Sequence, residues 1–209
     1  MTLTAANIPA APRENEAAIS ARESAETLAL MAQRRSAKVA HLIEPAPTGA
    51  DLDALIHLAA RVPDHGKLGP WRFVVIEGDA RARAGAVLAR AVENDPNIDA
   101  GRVEAARGLF LRAPACVMVV SAPQPNPKVP EWEQVLSSGA ACFALLLGAH
   151  AMGYAGCWLT EWPAFNANAR AALGLKEEER IAGFVYLGST REPALERVRA
   201  DAASRISRF

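Results

Sequence analysis

The segment from residue 131 to residue 152 constrains the fold more than any other part of the sequence, because its middle is apolar nearly all round. A helix with this pattern has no face for water, so it must be buried in the chain's own core or against a second chain. The longest apolar stretch within it, residues 139–151, is too short to cross a bilayer. We therefore expect one long core helix and no membrane span.

Shorter strand and helix patterns alternate around this helix. β-branched or almost wholly apolar runs predict strands at residues 72–77, 115–121, 157–160 and 181–187. Helical spacing of apolar residues predicts helices at residues 26–35, 51–61, 79–93, 99–112 and 166–173. Because helix predominates and separates the strands, the expected fold class is α+β, an α/β sandwich in which helices flank a central mixed β-sheet.

Both ends of the chain differ from its middle. Residues 1–24 are rich in Ala, Pro and Asn without clear periodicity, which predicts a flexible N-terminal extension. Residues 25–209 are expected to form one domain. Its last segment, residues 189–209, holds five arginines and few apolar side chains. We expect this C-terminal arm to lie on another surface, such as that of a partner subunit.

The charge balance and the missing motifs exclude several classes of function. Lys and Arg total 23, as do Asp and Glu, so the chain lacks the basic excess of a general nucleic-acid binder. Cys116, Cys142 and Cys157 are widely spaced in apolar surroundings, which is typical of buried side chains and not of a disulfide scaffold or a zinc site. No Walker-type loop, Gly-x-Ser-x-Gly elbow, metal-binding motif or secretory signal is present. We expect a cytoplasmic protein without metal and without hydrolase chemistry.

Two cation-rich segments are candidates for binding an anion. Residues 61–72 gather two Arg, one Lys, one His and one Asp between a helix and a strand, and Arg34-Arg35-Ser36 ends the first helix. Guanidinium forks match phosphate oxygens and a Ser hydroxyl adds a donor, so both segments could hold a phosphate. The alternative is structural, with the arginines complementing the helix dipole and the loop forming a solvated turn.

Two further positions also allow a structural and a functional interpretation. Trp158 follows Gly156 and could be an aromatic side chain of the core, or its indole could border a flat heteroaromatic ring. Gly188 could simply end the last strand, or it could let the backbone approach a ligand closely.

Six motifs occur in an order that resembles one protein family. They are Arg34-Arg35-Ser36, Pro47-Thr48-Gly49, the pattern Arg-x-Pro-Asp-His-x-x-x-x-Pro-Trp-x-Phe-x-Val-Ile at residues 61–76, Lys128 to Gln134, Gly153 to Trp158, and Gly183 to Gly188. This series resembles the nitroreductase family of FMN-dependent oxidoreductases, in its compact YdjA-like branch. The resemblance covers about residues 28 to 190, and although each motif is unspecific, six in register are hard to obtain by chance.

The resemblance implies a domain-interlocked homodimer with two FMN molecules in clefts between the subunits. The positions that match FMN contacts in the family are Arg34, Arg35 and Ser36 at the phosphate and ribityl chain, Arg61 and His65 in the loop, Trp158, Leu159 and Thr160 at the flavin, and Gly188 near the phosphate end. A segment matched to nicotinamide binding comprises Gly148, Ala149, His150, Ala151, Met152 and Gly153. Leu159 stands where the family pattern has Arg, a loss of one cation from the cleft.

The activity that the resemblance implies is hydride transfer from NADH or NADPH, through flavin N5, to a small acceptor such as a nitroaromatic or a quinone. This ping-pong scheme needs no catalytic side chain, because the cofactor carries the chemistry. Two alternatives remain open: a flavin carrier or sensor without turnover, and a flavoenzyme of the same fold with another substrate. No residue in the sequence distinguishes NADH from NADPH.

Overall fold

The chain forms a four-stranded sheet with helices on both faces, and the computed structural model describes residues 3–18 and 21–209. The strands are β1 (Trp71–Glu77), β2 (Ala115–Ser121), β3 (Ala155–Leu159) and β4 (Arg180–Gly188), in the order β1-β2-β4-β3. All three neighbouring pairs are antiparallel. The α+β class with flanking helices is confirmed. The expected mixed sheet is corrected to an antiparallel one, because β2 and β3, which run in the same direction, are separated by the opposed strand β4.

Six α-helices in the described part of the chain surround the sheet. They are α1 (Ala25–Gln33), α2 (Ala50–Ala59), α3 (Ala80–Val92), α4 (Ala100–Gly108), α5 (Glu131–Ala151) and α6 (Ala167–Ala172). The helix expected at residues 99–112 is shorter, because α4 ends at Gly108 and the chain continues as a 3-10 turn from Leu109 to Arg112. Glycine is a poor α-helix former, which fits an end at this position.

Side chains of β2 alternate between two cores. Cys116 and Met118 join side chains of α3, α4 and α6 on one side of the sheet. Val117 and Val119 join side chains of α2 and α5 on the other side. All seven residues of β2 are buried, which is why its sequence reads as a continuous apolar run and does not alternate.

Helix α5 is the core helix that the sequence predicts. Its buried face packs against α2 and the sheet. Among the described residues it is the one helix long and apolar enough to cross a bilayer, but nearly half of its most apolar part is buried inside the molecule, as in the core helix of a globular protein. Its other face exposes Trp132, Leu136 and Phe143, with 68%, 53% and 38% of each residue accessible. These three side chains form an apolar stripe at helical spacing.

The start of the N-terminal segment contacts the rest of the chain. The Leu3 N–H donates to the Met152 carbonyl at 3.0 Å, and the Ala5 N–H donates to Asp51 Oδ1 at 2.6 Å. Ile8 packs against the core between α2 and α5. Residues 3–8 therefore contact the ends of two helices, and the flexibility expected for residues 1–24 stays a prediction. Residues 1, 2, 19 and 20 lie outside the described residues.

The three cysteines are buried and unpaired, as the sequence predicts. Burial raises the pKa of the Cys142 thiol to about 12 and that of the Cys157 thiol to about 11, so neither forms a thiolate near neutral pH. Among the described residues, no group of three or more His, Cys, Asp or Glu side chains is placed to hold a metal ion.

Candidate functional site

The segment Arg34-Arg35-Ser36 leaves the end of α1 in an extended conformation. Arg34 follows the last helical residue and has φ −59° and ψ 141°. Its Nη2 donates to Ser36 Oγ at 3.1 Å, and the Ala37 N–H donates to the Gly156 carbonyl at 3.0 Å. The second bond ties this segment to β3. The structure thus brings the predicted phosphate-binding residues beside the strand that carries Trp158.

Arg34 is electrostatically unsatisfied. Its Nε is buried and has no hydrogen-bond partner among the described residues. Burial, followed by the nearby Arg199 and Arg35 guanidiniums, lowers the pKa of Arg34 below its usual value. A buried donor without an acceptor is costly, and an anion placed here would satisfy it and offset the repulsion between the cations. This site therefore fits a phosphate group.

A cleft of about 500 Å³ opens next to this segment. Its lining includes Arg35, Ser36, Lys38, His41, Glu192 and Leu195. Arg35 Nε donates to the Leu195 carbonyl at 3.1 Å and lies 3.5 Å from Glu196 Oε1, while His41 Nδ1 lies 3.1 Å from Glu192 Oε2. The C-terminal arm, expected on another surface, thus lies across the Arg35 segment of its own chain and places carboxylates beside its cations.

His150 connects α5 to the same segment. Its Nδ1 lies 2.7 Å from the Leu146 carbonyl and its Nε2 lies 3.0 Å from the Arg35 carbonyl. A neutral imidazole has one N–H and can donate to one of these oxygens, whereas an imidazolium can donate to both. Whenever Nε2 carries a proton, the ring ties the backbone of Arg35 to the C-terminal end of α5.

The rest of the segment predicted to bind nicotinamide is only partly packed inside the molecule. Ala149 and Met152 are buried, and a Cβ on Gly148 would lie 3.0 Å from a methyl group of Leu55. Gly153 has φ +89°, the left-handed conformation that ends the helix. Ala151 is exposed. The structure gives most of this segment a packing role, and its contact with nicotinamide stays a prediction.

Trp158 presents a flat, half-exposed surface on β3, with 38% of the residue accessible. Its indole Nε1 donates to the Ala182 carbonyl at 3.1 Å, and a Cβ on Gly139 of α5 would lie 3.8 Å from the ring. Leu159 and Thr160 follow it and are also exposed. The three residues predicted to lie at the flavin therefore form one accessible strip of chain.

Gly188 has a structural explanation within the chain. Ile43 and Ser189 exchange backbone hydrogen bonds of 2.9 Å and 2.7 Å across an isolated antiparallel bridge. A Cβ on Gly188 would lie 2.9 Å from the Ile43 carbonyl oxygen and 3.2 Å from Pro114. Close approach of the chain to itself is enough to require glycine here.

The cation-rich loop after α2 is held on the N-terminal half of α5. The Asp64 carboxylate accepts the Leu68 N–H at 3.2 Å and the Gly69 N–H at 2.8 Å. Ser137 Oγ donates to the Pro63 carbonyl at 2.7 Å and accepts the Trp71 indole N–H at 3.1 Å. The two hydrogen bonds that the Asp64 carboxylate accepts stabilise the turn.

The two predicted FMN contacts in this loop lie far from Arg35 within one chain. His65 Nδ1 is 2.7 Å from Glu133 Oε2 at the start of α5, whereas Arg35 is held by His150 at its end. At the rise of an α-helix these anchor points are about 25 Å apart. Arg61 is exposed and lines a different hollow, of about 360 Å³, beside the docked N-terminal segment. One chain therefore does not bring both cation groups to the same cleft.

A polar cluster directly after Thr160 was not predicted from the sequence. It consists of Glu161, Arg112 and Tyr186, with all three side chains in mutual hydrogen-bond contact. The residues are separated by 49 and 25 positions along the chain. No spacing motif joins them, and the sheet brings them together by setting β2 and β3 on either side of β4.

Comparisons with known proteins agree with this architecture. Residues 31–189 match the model of the nitroreductase family. An Escherichia coli K12 protein with the provisional name NAD(P)H nitroreductase YdjA is 40% identical over 168 residues, which is 78% of this chain and 88% of the relative.

Solved structures show the same fold. A nitroreductase-like family protein from Bacillus cereus aligns with a TM-score of 0.75 at 19% identity, covering 92% of this chain and 99% of that protein. A nitroreductase with bound FMN from Bacteroides fragilis aligns with a TM-score of 0.65 at 22% identity, covering 89% and 100%. The family match extends from α1 to the Ile43–Ser189 bridge and contains Arg34, Trp158 and Gly188. The chain therefore belongs to the nitroreductase family.

Proposed function

We propose that this protein is an FMN-dependent oxidoreductase that takes electrons from NADH or NADPH and passes them to a small acceptor such as a nitroaromatic or a quinone. The observation that carries the proposal is the partly buried Arg34, whose Nε is buried without a partner among the described residues and whose pKa is lowered by that burial and by neighbouring guanidiniums. Membership of the nitroreductase family, the name of the E. coli relative and the FMN bound by the B. fragilis protein support the same cofactor and donor.

Arg34, Arg35 and Ser36 would hold the FMN phosphate. Two guanidiniums and a hydroxyl supply several charge-assisted donors, and the tie from Ala37 to Gly156 sets them beside β3. Trp158 would border the flavin ring, with Leu159 and Thr160 next to it. His150 enters this proposal as the support of the Arg35 backbone.

A homodimer would complete the site. The roughly 25 Å along α5 between the anchor points of His65 and Arg35 is too far for one chain to bring both to the phosphate end of a cofactor. A second copy could supply the missing loop. The exposed apolar stripe of α5, with Leu28 and Met31 of α1 also exposed nearby, offers the kind of surface that obligate dimers bury.

Bound FMN would supply the two-electron chemistry, accepting hydride from the nicotinamide and donating it to the acceptor. The residues of the chain bind and orient. Arg34 and Arg35 neutralise the phosphate, the Trp158 indole shields one edge of the ring from water, and Arg61 or Lys67 would place positive charge where negative charge develops. No side chain is needed as a nucleophile or a general base. We place this activity in the cytoplasm.

The experiment uses the purified chain, its visible flavin absorption and an FMN titration. We expect yellow protein that is bleached anaerobically by NADH or NADPH and recoloured by an acceptor. Replacing Arg34 by Ala should weaken FMN binding about 10- to 100-fold, as loss of a charge-assisted contact of about 1.5–3 kcal/mol implies. Arg90→Ala, at an exposed position on α3, is the control.

The outcomes separate the alternatives. Colourless protein that takes up no FMN overturns the proposal. Flavin that neither nucleotide bleaches identifies a carrier or sensor. An Arg34→Ala variant with the wild-type dissociation constant for FMN removes the phosphate assignment while leaving the enzyme proposal in place.

A further inference from the structure

We propose that Glu161 is a positioning residue, held by Arg112 and Tyr186, which fixes the Trp158–Thr160 strip in the orientation that receives the flavin. This inference rests on the proposed function, since it assumes that FMN lies against that strip. Glu161 would not touch the cofactor and would act through the backbone of the turn that follows β3.

The carboxylate of Glu161 is fully engaged. Arg112 Nη2 lies 2.7 Å from both Glu161 Oε1 and Oε2, and the Tyr186 hydroxyl donates to Oε2 at 2.8 Å. Arg112 Nη2 also lies 3.0 Å from the Tyr186 oxygen, and its guanidinium carbon is 5.3 Å from the centre of the ring. Only 17% of the Glu161 side chain is exposed. A closed set of charge-assisted bonds holds the side chain in one place.

The backbone of Glu161 adopts a conformation that ordinary residues avoid. Its φ of 55° and ψ of 176° fall in a region that is populated almost only by glycine. A side chain at such angles persists when its surroundings over-determine it. Here the surroundings are the bonds to Arg112 and Tyr186. We infer that these bonds hold Glu161 at its unusual backbone angles, and that without them the residue would relax to common angles.

The turn at Glu161 forms the end of the Trp158–Thr160 strip. Glu161 follows Thr160 directly and begins the 3-10 turn Trp162–Ala164. Tyr186 and Cys157 belong to the core on the side of α3, α4 and α6, whereas Val185, the partner of Trp158 in the sheet, belongs to the core under α5. The cluster therefore contacts the chain on the α3, α4 and α6 side of the sheet. The Trp158 indole lies on the opposite side, that of α5.

The Tyr186 hydroxyl and the Arg112 guanidinium are suited to lasting hydrogen bonds with Glu161. Tyr186 is completely buried, and this burial raises the pKa of its hydroxyl above the usual value, so the group stays a hydrogen-bond donor. Arg112 supplies the single positive charge that balances the Glu161 carboxylate. The pKa of the Arg112 guanidinium is also raised, so Arg112 and Tyr186 both remain hydrogen-bond donors at neutral pH.

A second ion pair on the same side of the sheet provides a matched control. Arg72 donates to both oxygens of Glu179 at 2.8 Å and 2.7 Å. The side chains of Arg72 and Glu179 are 38% and 5% exposed, which resembles the exposures in the Arg112–Glu161 pair. Glu179 lies at the opposite end of β4 from the segment that pairs with β3. Its loss should cost comparable stability without moving Trp158.

The experiment compares Glu161→Ala, Glu161→Gly and Glu179→Ala with the wild type. The first readout is amide hydrogen exchange of residues 158–162 in the apoprotein, which needs no cofactor. The second is the FMN dissociation constant, together with KM and kcat for an artificial quinone acceptor. Glycine can retain the unusual backbone angles without a side chain, whereas alanine cannot, so the two Glu161 variants separate the turn from the ion pair.

We expect Glu161→Ala to raise exchange at residues 158–162 at least 10-fold and to weaken FMN binding about 10-fold. Glu161→Gly should show a smaller change in both, and Glu179→Ala should show neither change at this segment. Wild-type exchange in Glu161→Ala, an equal rise in Glu179→Ala, or unchanged FMN binding despite faster exchange would each overturn the inference. A wild-type protein that takes up no FMN would instead overturn the proposed function.

Discussion

The indole of Trp158 lies directly against the backbone of Gly183 on the neighbouring strand. A Cβ at position 183 would overlap the indole Nε1 and Cδ1 atoms, so this position must be glycine for the ring to lie where it does. The same ring is approached from the other side by Gly139 of α5, where a Cβ would be 3.8 Å away. Two glycines thus frame the side chain that is proposed to border the flavin.

Replacing Gly183 by Ala should expel the indole from its place. We expect the overlap to destabilise the fold by about 1–3 kcal/mol. Displacement of Trp158 should also weaken FMN binding about 10-fold, measured by flavin titration. Gly139→Ala is the control, since an ordinary contact and the better helix propensity of alanine, worth about 1 kcal/mol, favour it. Wild-type FMN affinity in the Gly183 variant would show that the position of the indole does not matter to the cofactor.

Ser137 should be necessary for the loop that carries Arg61 and His65. Its hydroxyl bonds both the Pro63 carbonyl and the Trp71 indole, so Ser137→Ala should lower the free energy of unfolding by about 1–3 kcal/mol in urea titrations. Ser121→Ala is a matched change, because that hydroxyl is buried without a partner among the described residues. We expect it to be neutral or stabilising. Equal losses in the two variants would contradict the role given to Ser137.

Glu179 should make stability depend on pH in the acid range. Its hydrogen bonds to Arg72 lower the pKa of the carboxyl from its usual value to about 2. Because the folded pKa is depressed, the contribution to stability is complete above the unfolded value, near 4.5, and is lost as pH falls towards 2. It should amount to no more than about 3 kcal/mol, and less because Arg72 is partly in water.

The measurement is urea unfolding of the wild type and of Glu179→Gln between pH 2 and pH 7. The difference in unfolding free energy should be constant above about pH 5 and should shrink steadily below it. A difference that stays the same down to pH 2 would mean that the ion pair does not stabilise the folded state.

Glu196 should compete with the phosphate for Arg35. Its Oε1 lies 3.5 Å from Arg35 Nε, in the cleft proposed for the phosphate. Glu196→Gln should therefore strengthen FMN binding a few-fold at low salt, with the gain fading as salt screens the exposed charge. Glu104→Gln, which removes an exposed partner of Arg107 on α4, should leave FMN binding unchanged. Weaker FMN binding in Glu196→Gln would show that the arm assists the site and does not compete with it.

The elements of this fold are predictable from local sequence, whereas the contacts that build the site are not. The apolar run of β2 and the apolar pattern of α5 are recognisable in the sequence, because burial of β2 on both faces and of one face of α5 requires apolar residues at close spacing. The direction of the strands has no such signature, and the sheet is antiparallel where a mixed one was expected. Motif order singled out Arg34 and Trp158 as cofactor contacts, which remain predictions.

What the sequence could not show depends on residues that meet only after folding. The unusual backbone of Glu161 is maintained by Arg112 and Tyr186, which are distant in the chain. The N-terminal segment lacks periodicity, yet Leu3 docks through a single backbone bond to Met152. Gly188 was predicted to allow close approach of a ligand, and what the structure places against it is the backbone of Ile43.

The Ile43–Ser189 bridge has a consequence for the last part of the chain. It fixes the origin of the C-terminal arm at the end of β4, while the 20 residues from 190 to 209 carry no strand or α-helix. The bridge therefore fixes where the arm starts, and the contacts of Arg35 with Leu195 and Glu196 fix where it crosses the chain. The position of the arm over the Arg35 segment thus depends on a single pair of backbone hydrogen bonds at its origin.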